Sequence, residues 1–323
     1  MPSALHQHVA WFEDPSRYPV RWDLVFSSRT LLALVASFAG LAILYGAQKA
    51  LRDEHWPRLP FLPLMAVGAP TLLAVQAAIP LIYSGVQPVL LAPHMRLGAP
   101  LGLLLGAVEV LIGFAFITGI LDRLAAIALA LLVLLGLLLF PPLDALAQFH
   151  WIGVALVVYA IGRQATEVER PRHMPGWLPV RLSPKTALVG LRVLTGVAVM
   201  APALSEKIWN PAIAQAFLHD HPGFNFVHAY LGIGWMSDER FALAAGVFEF
   251  AVGVMLISGV LTRVVIIAMW LPFNATVPFL PPRELLYHLP FFAIMYFLLV
   301  HGANHASRTE HDPARSLHQL VGR

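Results

Sequence analysis

The sequence predicts an all-α polytopic membrane protein of about nine transmembrane helices. Three observations carry that prediction. Hydrophobic residues make up 58% of the 323 residues, and mean hydropathy is +0.72. Charged residues make up only 12%, about half the ~25% usual in soluble domains. Apolar runs also recur at close to the ~20 residues a helix needs to cross ~30 Å of hydrocarbon. A soluble core cannot absorb that much apolar surface. Lipid can, provided the backbone satisfies its own hydrogen bonds, as helices do.

The runs fall at 30–49, 63–84, 99–119, 123–140, 145–162, 187–205, 241–260, 263–280 and 286–302. Pro70 and Pro80 interrupt the second, which reads as a kinked span because membrane helices tolerate proline. The double prolines 141–142 and 281–282 suit the starts of the spans that follow them. The opening 29 residues are polar and aromatic, with no short apolar core before a cleavage site, so no secretory signal is expected. Lys and Arg favour one side: 13 lie in the loops 49–62, 120–123, 163–186 and 260–263 and the C-terminal tail, against 7 on the other side. By the positive-inside rule the C-terminus is cytoplasmic and the N-terminus outside.

Charge and cysteine exclude several chemistries. The pI is about 9.4, but the formal charge is only +3 and the basic residues are dispersed between apolar runs. That is not the footprint of a nucleic-acid binder. With no cysteine, the chain has no disulfides, thiolate metal sites or iron–sulfur cluster of its own. No nucleotide-binding or nucleophile-elbow motif is present, and no two histidines face each other within the spans to hold haem.

Internal similarity organises the chain. Glu109-Val-Leu-Ile-Gly113, followed by Gly119-Ile-Leu-Asp-Arg123, returns as Glu249-Phe-Ala-Val-Gly253, followed by Gly259-Val-Leu-Thr-Arg263. Every matched position is shifted by 140, and Pro141-Pro142 and Asp144 return as Pro281-Pro282 and Glu284. The chain divides into an N-terminal segment 1–61 with one span, a four-helix unit 62–163, a basic cytoplasmic linker 164–185, a second four-helix unit 186–303 and a polar tail 304–323. Four spans is an even number, so the two bundles form a tandem parallel repeat.

This pattern, a membrane Glu, then Gly, then Gly-x-Leu-x-Arg at a tight hairpin, resembles the DoxX family of four-helix membrane proteins. The resemblance covers both units and extends to Arg192, Gly196 and Lys207 in the second. The first unit departs from it, with no Arg in its opening span and Tyr83-Ser84-Gly85 where the second has Ser205-Glu206-Lys207. The resemblance implies a membrane subunit that works with a soluble or membrane redox partner and offers a site to quinone. It favours the second unit as the place where a family site is kept.

The polar residues within the spans are the site candidates. Glu109 and Glu249 lie ten residues before Gly119 and Gly259, about 15 Å along a helix, near mid-membrane. Each sits on a stripe of small residues, where membrane helices pack closely, so both carboxyls are expected to face protein. An acid there serves function or ties helices together by hydrogen bonding. Arg192 is expected to reach Glu249, and Gln76 to bond Glu109. His150 and His288 follow Asp144 and Glu284 in the last span of each unit, as a proton relay, a contact to a quinone carbonyl or a helix cap. Arg123 and Arg263 read as topology anchors that cap helix ends.

The outer loop 208–240 carries His219-Asp220-His221, His228, Asp238 and Glu239. This set includes metal-ligand types, but the aromatic residues around it favour interfacial helices over the outer mouth. The leading expectation is a DoxX-like membrane subunit that anchors a soluble oxidoreductase, itself non-catalytic or quinone-binding. The bacterial or archaeal inner membrane suits it. The alternatives are a proton-coupled transporter or channel, with both glutamates on one water path, and a scaffold without chemistry.

Overall fold

The computed structural model describes residues 17–53, 56–162, 182–279 and 282–302. Helix α1 (Ser28–Leu51) is followed by α2 (Leu62–Ala66), α3 (Ala69–Gly85), α4 (Ala99–Thr118), α5 (Asp122–Leu139), α6 (Pro142–Ala147) and α7 (Phe149–Ile161). After the linker come α8 (Pro184–Pro202), α9 (Pro211–Asp220), α10 (Phe226–Ala229), α11 (Asp238–Ser258), α12 (Thr262–Thr276) and α13 (Pro282–His301). Among the described residues six helical stretches are long and apolar enough to cross a membrane: Ser28–Leu51, Ala99–Thr118, Asp122–Leu139, Pro142–Ile161, Pro184–Ile208 and Asp238–Ser258. Ala69–Gly85, Thr262–Ala275 and Leu285–His301 are shorter apolar helices. Large side chains such as Phe38, Ile43, Leu104, Leu111 and Leu138 face outward. In a polytopic membrane protein those faces meet lipid rather than water.

Local chemistry sets the breaks. The run 63–84 is not one kinked helix. It divides between Val67 and Gly68, and Pro70 stands in the first turn of α3, where its missing N–H costs no hydrogen bond. Pro80 lies inside α3 without ending it. Between α3 and α4 the chain forms an antiparallel hairpin of β1 (Val89–Leu90) and β2 (Ala92–Arg96), which the hydropathy pattern does not announce. Helix α8 continues into a π-helical turn, Ala203–Ile208. The loop 208–240 folds into α9, a 3₁₀ turn and α10, as its aromatic content suggested.

The helices pack in succession as α3, α4, α5, α7, α8, α11, α12 and α13, and α13 closes back on α3. The main core runs through both halves, from Leu73, Leu129 and Val154 to Leu188, Leu256 and Phe297. Helix α1 lies against α11. Helices α4 and α11 end alike: Gly119 (φ 77°) and Gly259 (φ 78°) take the left-handed conformation that glycine adopts without a Cβ clash. Leu121 and Leu261, also left-handed, then start α5 and α12.

The stripes of small residues are contact surfaces. A Cβ on Gly106 would collide with the carbonyl of Gly85, and one on Gly113 would meet Ala78 and Ile82. In the second half a Cβ on Gly246 would meet the carbonyl of Ala203 and the Lys207 side chain, and one on Gly253 would meet Gly196 and Met200. Close backbone approach of this kind maximises dispersion contact where lipid offers no hydrophobic drive.

Candidate functional site

Glu109 projects from the middle of α4 into protein and is fully buried. Ser84 at the end of α3 donates its hydroxyl to Oε2, and the Leu91 amide in the β-hairpin donates to Oε1 at 2.9 Å. Gln76 is therefore not its partner. The Gly106–Gly85 contact sets Glu109 beside Ser84, and Gln76 lies eight residues earlier, about 12 Å along α3. Glu109 joins α3, the hairpin and α4, and all its described bonds are structural.

Glu249 on α11 has a different partner. Lys207 in the π turn places Nζ 2.9 Å from Oε2, with Lys207 13% and Glu249 30% exposed. The expected Arg192–Glu249 pair does not form. Arg192 Nη1 donates to the carbonyls of Leu256 and Ile257, the latter at 2.8 Å, and its guanidinium packs on Gly259. Those groups lie seven to ten residues past Glu249, about 10–15 Å along the helix. Arg192 thus caps the C-terminal end of α11, where a cation is favoured. Arg263 does the same for α13, donating to Leu299 and Val300 at 2.9 Å each.

The π turn concentrates polarity. Glu249 and Glu206 both act electrostatically on Lys207, and Ser205 and Glu206 are 8% and 6% exposed. They line a cleft of about 270 Å³ together with Tyr18, Trp22, Pro142, Asp144, Asn210 and Ile213. π turns in otherwise regular helices frequently mark functional positions. Asn210 fixes the cleft wall: its amide donates to the Tyr18 carbonyl at 2.6 Å, and the Arg21 amide donates to the Trp209 carbonyl at 2.8 Å. Trp22 packs on Trp209 at 5.8 Å between ring centroids.

Among the described residues His150 does not form a relay with its upstream acid, Asp144. His150 is buried, with Nδ1 3.1 Å from the Ala147 carbonyl and its ring 4.4 Å from that of Phe291. His288 packs between Phe273 and Phe292. The Glu284 side chain lies outside the described residues. His219 is exposed and pairs with Asp220 at 3.0 Å, while His221 packs between Phe217 and Phe224. Among the described residues no group of three or more His, Asp or Glu side chains is placed to hold a metal ion. In the hairpin, outside the spans, burial pushes the His94 imidazole down to about 4, so it is neutral near pH 7.

The chain matches no protein-family model, no curated protein and no solved structure. Glu249 and Lys207 are brought together, Arg192 is set apart as a cap, and Glu109 is locked in a separate structural knot. The sequence sets Ser205 and Glu206 beside Lys207 and pairs Asp144 with His150, but does not show that Ser205, Glu206 and Asp144 share one cleft. The available signal was a polar triplet, Ser205-Glu206-Lys207, closing an otherwise apolar run.

Proposed function

We propose that this chain is a DoxX-like membrane subunit of a redox complex, with a quinone-accessible site at Lys207 and Glu249 in its second half. It anchors a soluble oxidoreductase, whose cofactor supplies the electrons. One observation carries the reading. Glu109 is sealed and fully hydrogen-bonded, whereas Glu249 is 30% exposed beside an ammonium group. A transporter with both carboxylates on one water path fits that inequality poorly. Reduction of a quinone takes two electrons and two protons. The Lys207 ammonium is suited to hydrogen-bond a quinone carbonyl and to give it one proton, and the 30% exposed Glu249 carboxylate to relay the replacement and the second proton from outside. Small-molecule sites commonly combine apolar surroundings with a few polar groups that set orientation, and the Lys207–Glu249 pair supplies such polar groups within apolar helices.

A tandem origin of the two halves supports the same assignment. Gly106 and Gly113 lie against Gly85 and Ala78, as Gly246 and Gly253 lie against Ala203 and Gly196. The first set of glycines is shifted by 140 between halves and their partners by 118. Under the second shift Ser84 corresponds to Pro202, which has no hydroxyl to donate, and Lys207 takes over one turn later from the π turn. The reading places nine spans in a bacterial or archaeal inner membrane, with the C-terminus inside.

The test is purification from native membranes in mild detergent, with solvent extraction of bound lipid. Redox subunits and stoichiometric quinone are expected with the wild type, and quinone is lost in Lys207→Met. A chain that purifies alone and free of quinone would overturn the proposal.

A further inference from the structure

We infer that the cleft between Trp22, Asp144 and Ser205 is a binding site for a primary ammonium group carried on a small apolar body. The cleft holds about 270 Å³, just below the ~300–1,000 Å³ of pockets for drug-sized ligands. Ser205 is 8% exposed and Asp144 half-buried, and neither makes a hydrogen bond or ion pair with any described residue. Their oxygens open into the cleft with no protein donor among the described residues, so they are available to a ligand that brings donors of its own. Both face the same cavity, which Glu206 also lines. An ammonium group has three donors and no acceptor, so it matches an acceptor-rich recess. Tyr18 and Trp22 also line the cleft, and aromatic rings attract a cation placed over them; Ile213 supplies apolar wall. The wall is built in advance, since Asn210 and Trp209 hold residues 18–22 in place. A metal ion does not suit the recess, because no group of three or more acidic or His ligands converges there among the described residues.

The same ammonium chemistry has two natural sources, a free amine and the headgroup of phosphatidylethanolamine. The experiment uses the whole purified chain, with benzylammonium as probe and uncharged benzyl alcohol as its near-isostere, read by calorimetric titration near neutral pH. Saturable binding of benzylammonium is expected, at least about tenfold tighter than benzyl alcohol, a difference of 1.4 kcal/mol or more. Asp144→Asn removes that preference, and Ser205→Ala weakens binding severalfold. Equal binding of the two probes, no saturable binding at millimolar concentrations, or an unchanged Asp144→Asn protein overturns the inference. Should Asp144→Asn fail to fold, Trp22→Leu on the exposed rim decides: weaker benzylammonium binding supports the site and unchanged binding overturns it. Repeating the titration in nanodiscs of phosphatidylglycerol, with and without phosphatidylethanolamine, separates the sources. Competition by the latter assigns a lipid headgroup, and its absence a free amine. Quinone content is not a readout here, so this inference and the redox proposal fail separately.

Discussion

Lys207 and Glu249 meet at 2.9 Å where α8 ends in its π turn, and each is the other's ion-pair partner. Removing one partner of a fully buried pair costs about 3–5 kcal/mol, because the other charge is stranded. Glu249 is 30% exposed, so solvent screening reduces that cost. Lys207→Met is expected to lower stability by about 2 kcal/mol. Lys207→Met with Glu249→Gln should recover most of the loss. Thermal unfolding in detergent measures both, and strictly additive losses would show that the pair is not what Lys207 stabilises.

Glu109 sits in a hydrogen-bonded knot rather than in an open site. Glu109→Gln keeps an acceptor for the Leu91 amide and a donor for Ser84, so it should cost under about 1 kcal/mol. Glu109→Ala strips both and should cost about 2–4 kcal/mol, summing a lost acceptor and a cavity. Amide exchange at Leu91 should rise in the alanine variant and stay protected in the glutamine one. Loss of quinone or partner in Glu109→Gln would restore a functional role to this carboxyl.

The glycine contacts predict which positions refuse a methyl group. At Gly196 a Cβ would lie 2.6 Å from the Gly253 carbonyl, whereas at Gly46 nothing lies within 4 Å. Gly196→Ala should cost about 1–3 kcal/mol through overpacking of two backbones. Gly46→Ala should be neutral or slightly stabilising, since alanine is the better helix former. Paired melting curves of the two variants make the comparison.

Burial lowers the folded-state pKa of His94 to about 4, below the unfolded value near 6.5. The unfolded chain therefore binds the proton first as pH falls. Stability is full above about pH 6.5 and declines towards pH 4. His94 keeps some exposure in the hairpin, so the loss attributable to it should be about 2 kcal/mol rather than the ~3 that the full shift implies. His94→Gln should flatten the pH dependence of unfolding over that window, and identical slopes would remove His94 as its cause.

The six long apolar helices were legible because hydropathy and length are one-dimensional properties, and so was the inward turn of Glu109, which follows from the stripe of Gly102, Gly106 and Gly113. Partner choice was not legible. Periodicity gives a residue's face and depth on its own helix, but not the depth of the residue opposite. Arg192 and Glu249 both face protein, yet their depths differ by more than an arginine can reach. The π turn that brings Lys207 to Glu249 has no periodic signature, because it covers only Ala203–Ile208, too short a stretch to set a period of its own. The β-hairpin that feeds the Leu91 amide to Glu109 is likewise too short to alternate visibly.

Arg192 provides the last prediction, because its cap and the Lys207–Glu249 pair are separate devices on one helix. Arg192→Met leaves the Leu256 and Ile257 carbonyls without their donor and should destabilise the chain by about 1–3 kcal/mol. Arg192→Lys has one ammonium for two carbonyls and no planar fork, so it should recover only part of the loss. Neither change should alter quinone content per folded molecule, since Lys207 and Glu249 keep their geometry. Extraction of quinone from Arg192→Met, normalised to folded protein, makes the check. A loss of quinone as large as that in Lys207→Met would tie the arginine to the site and overturn its assignment as a helix cap.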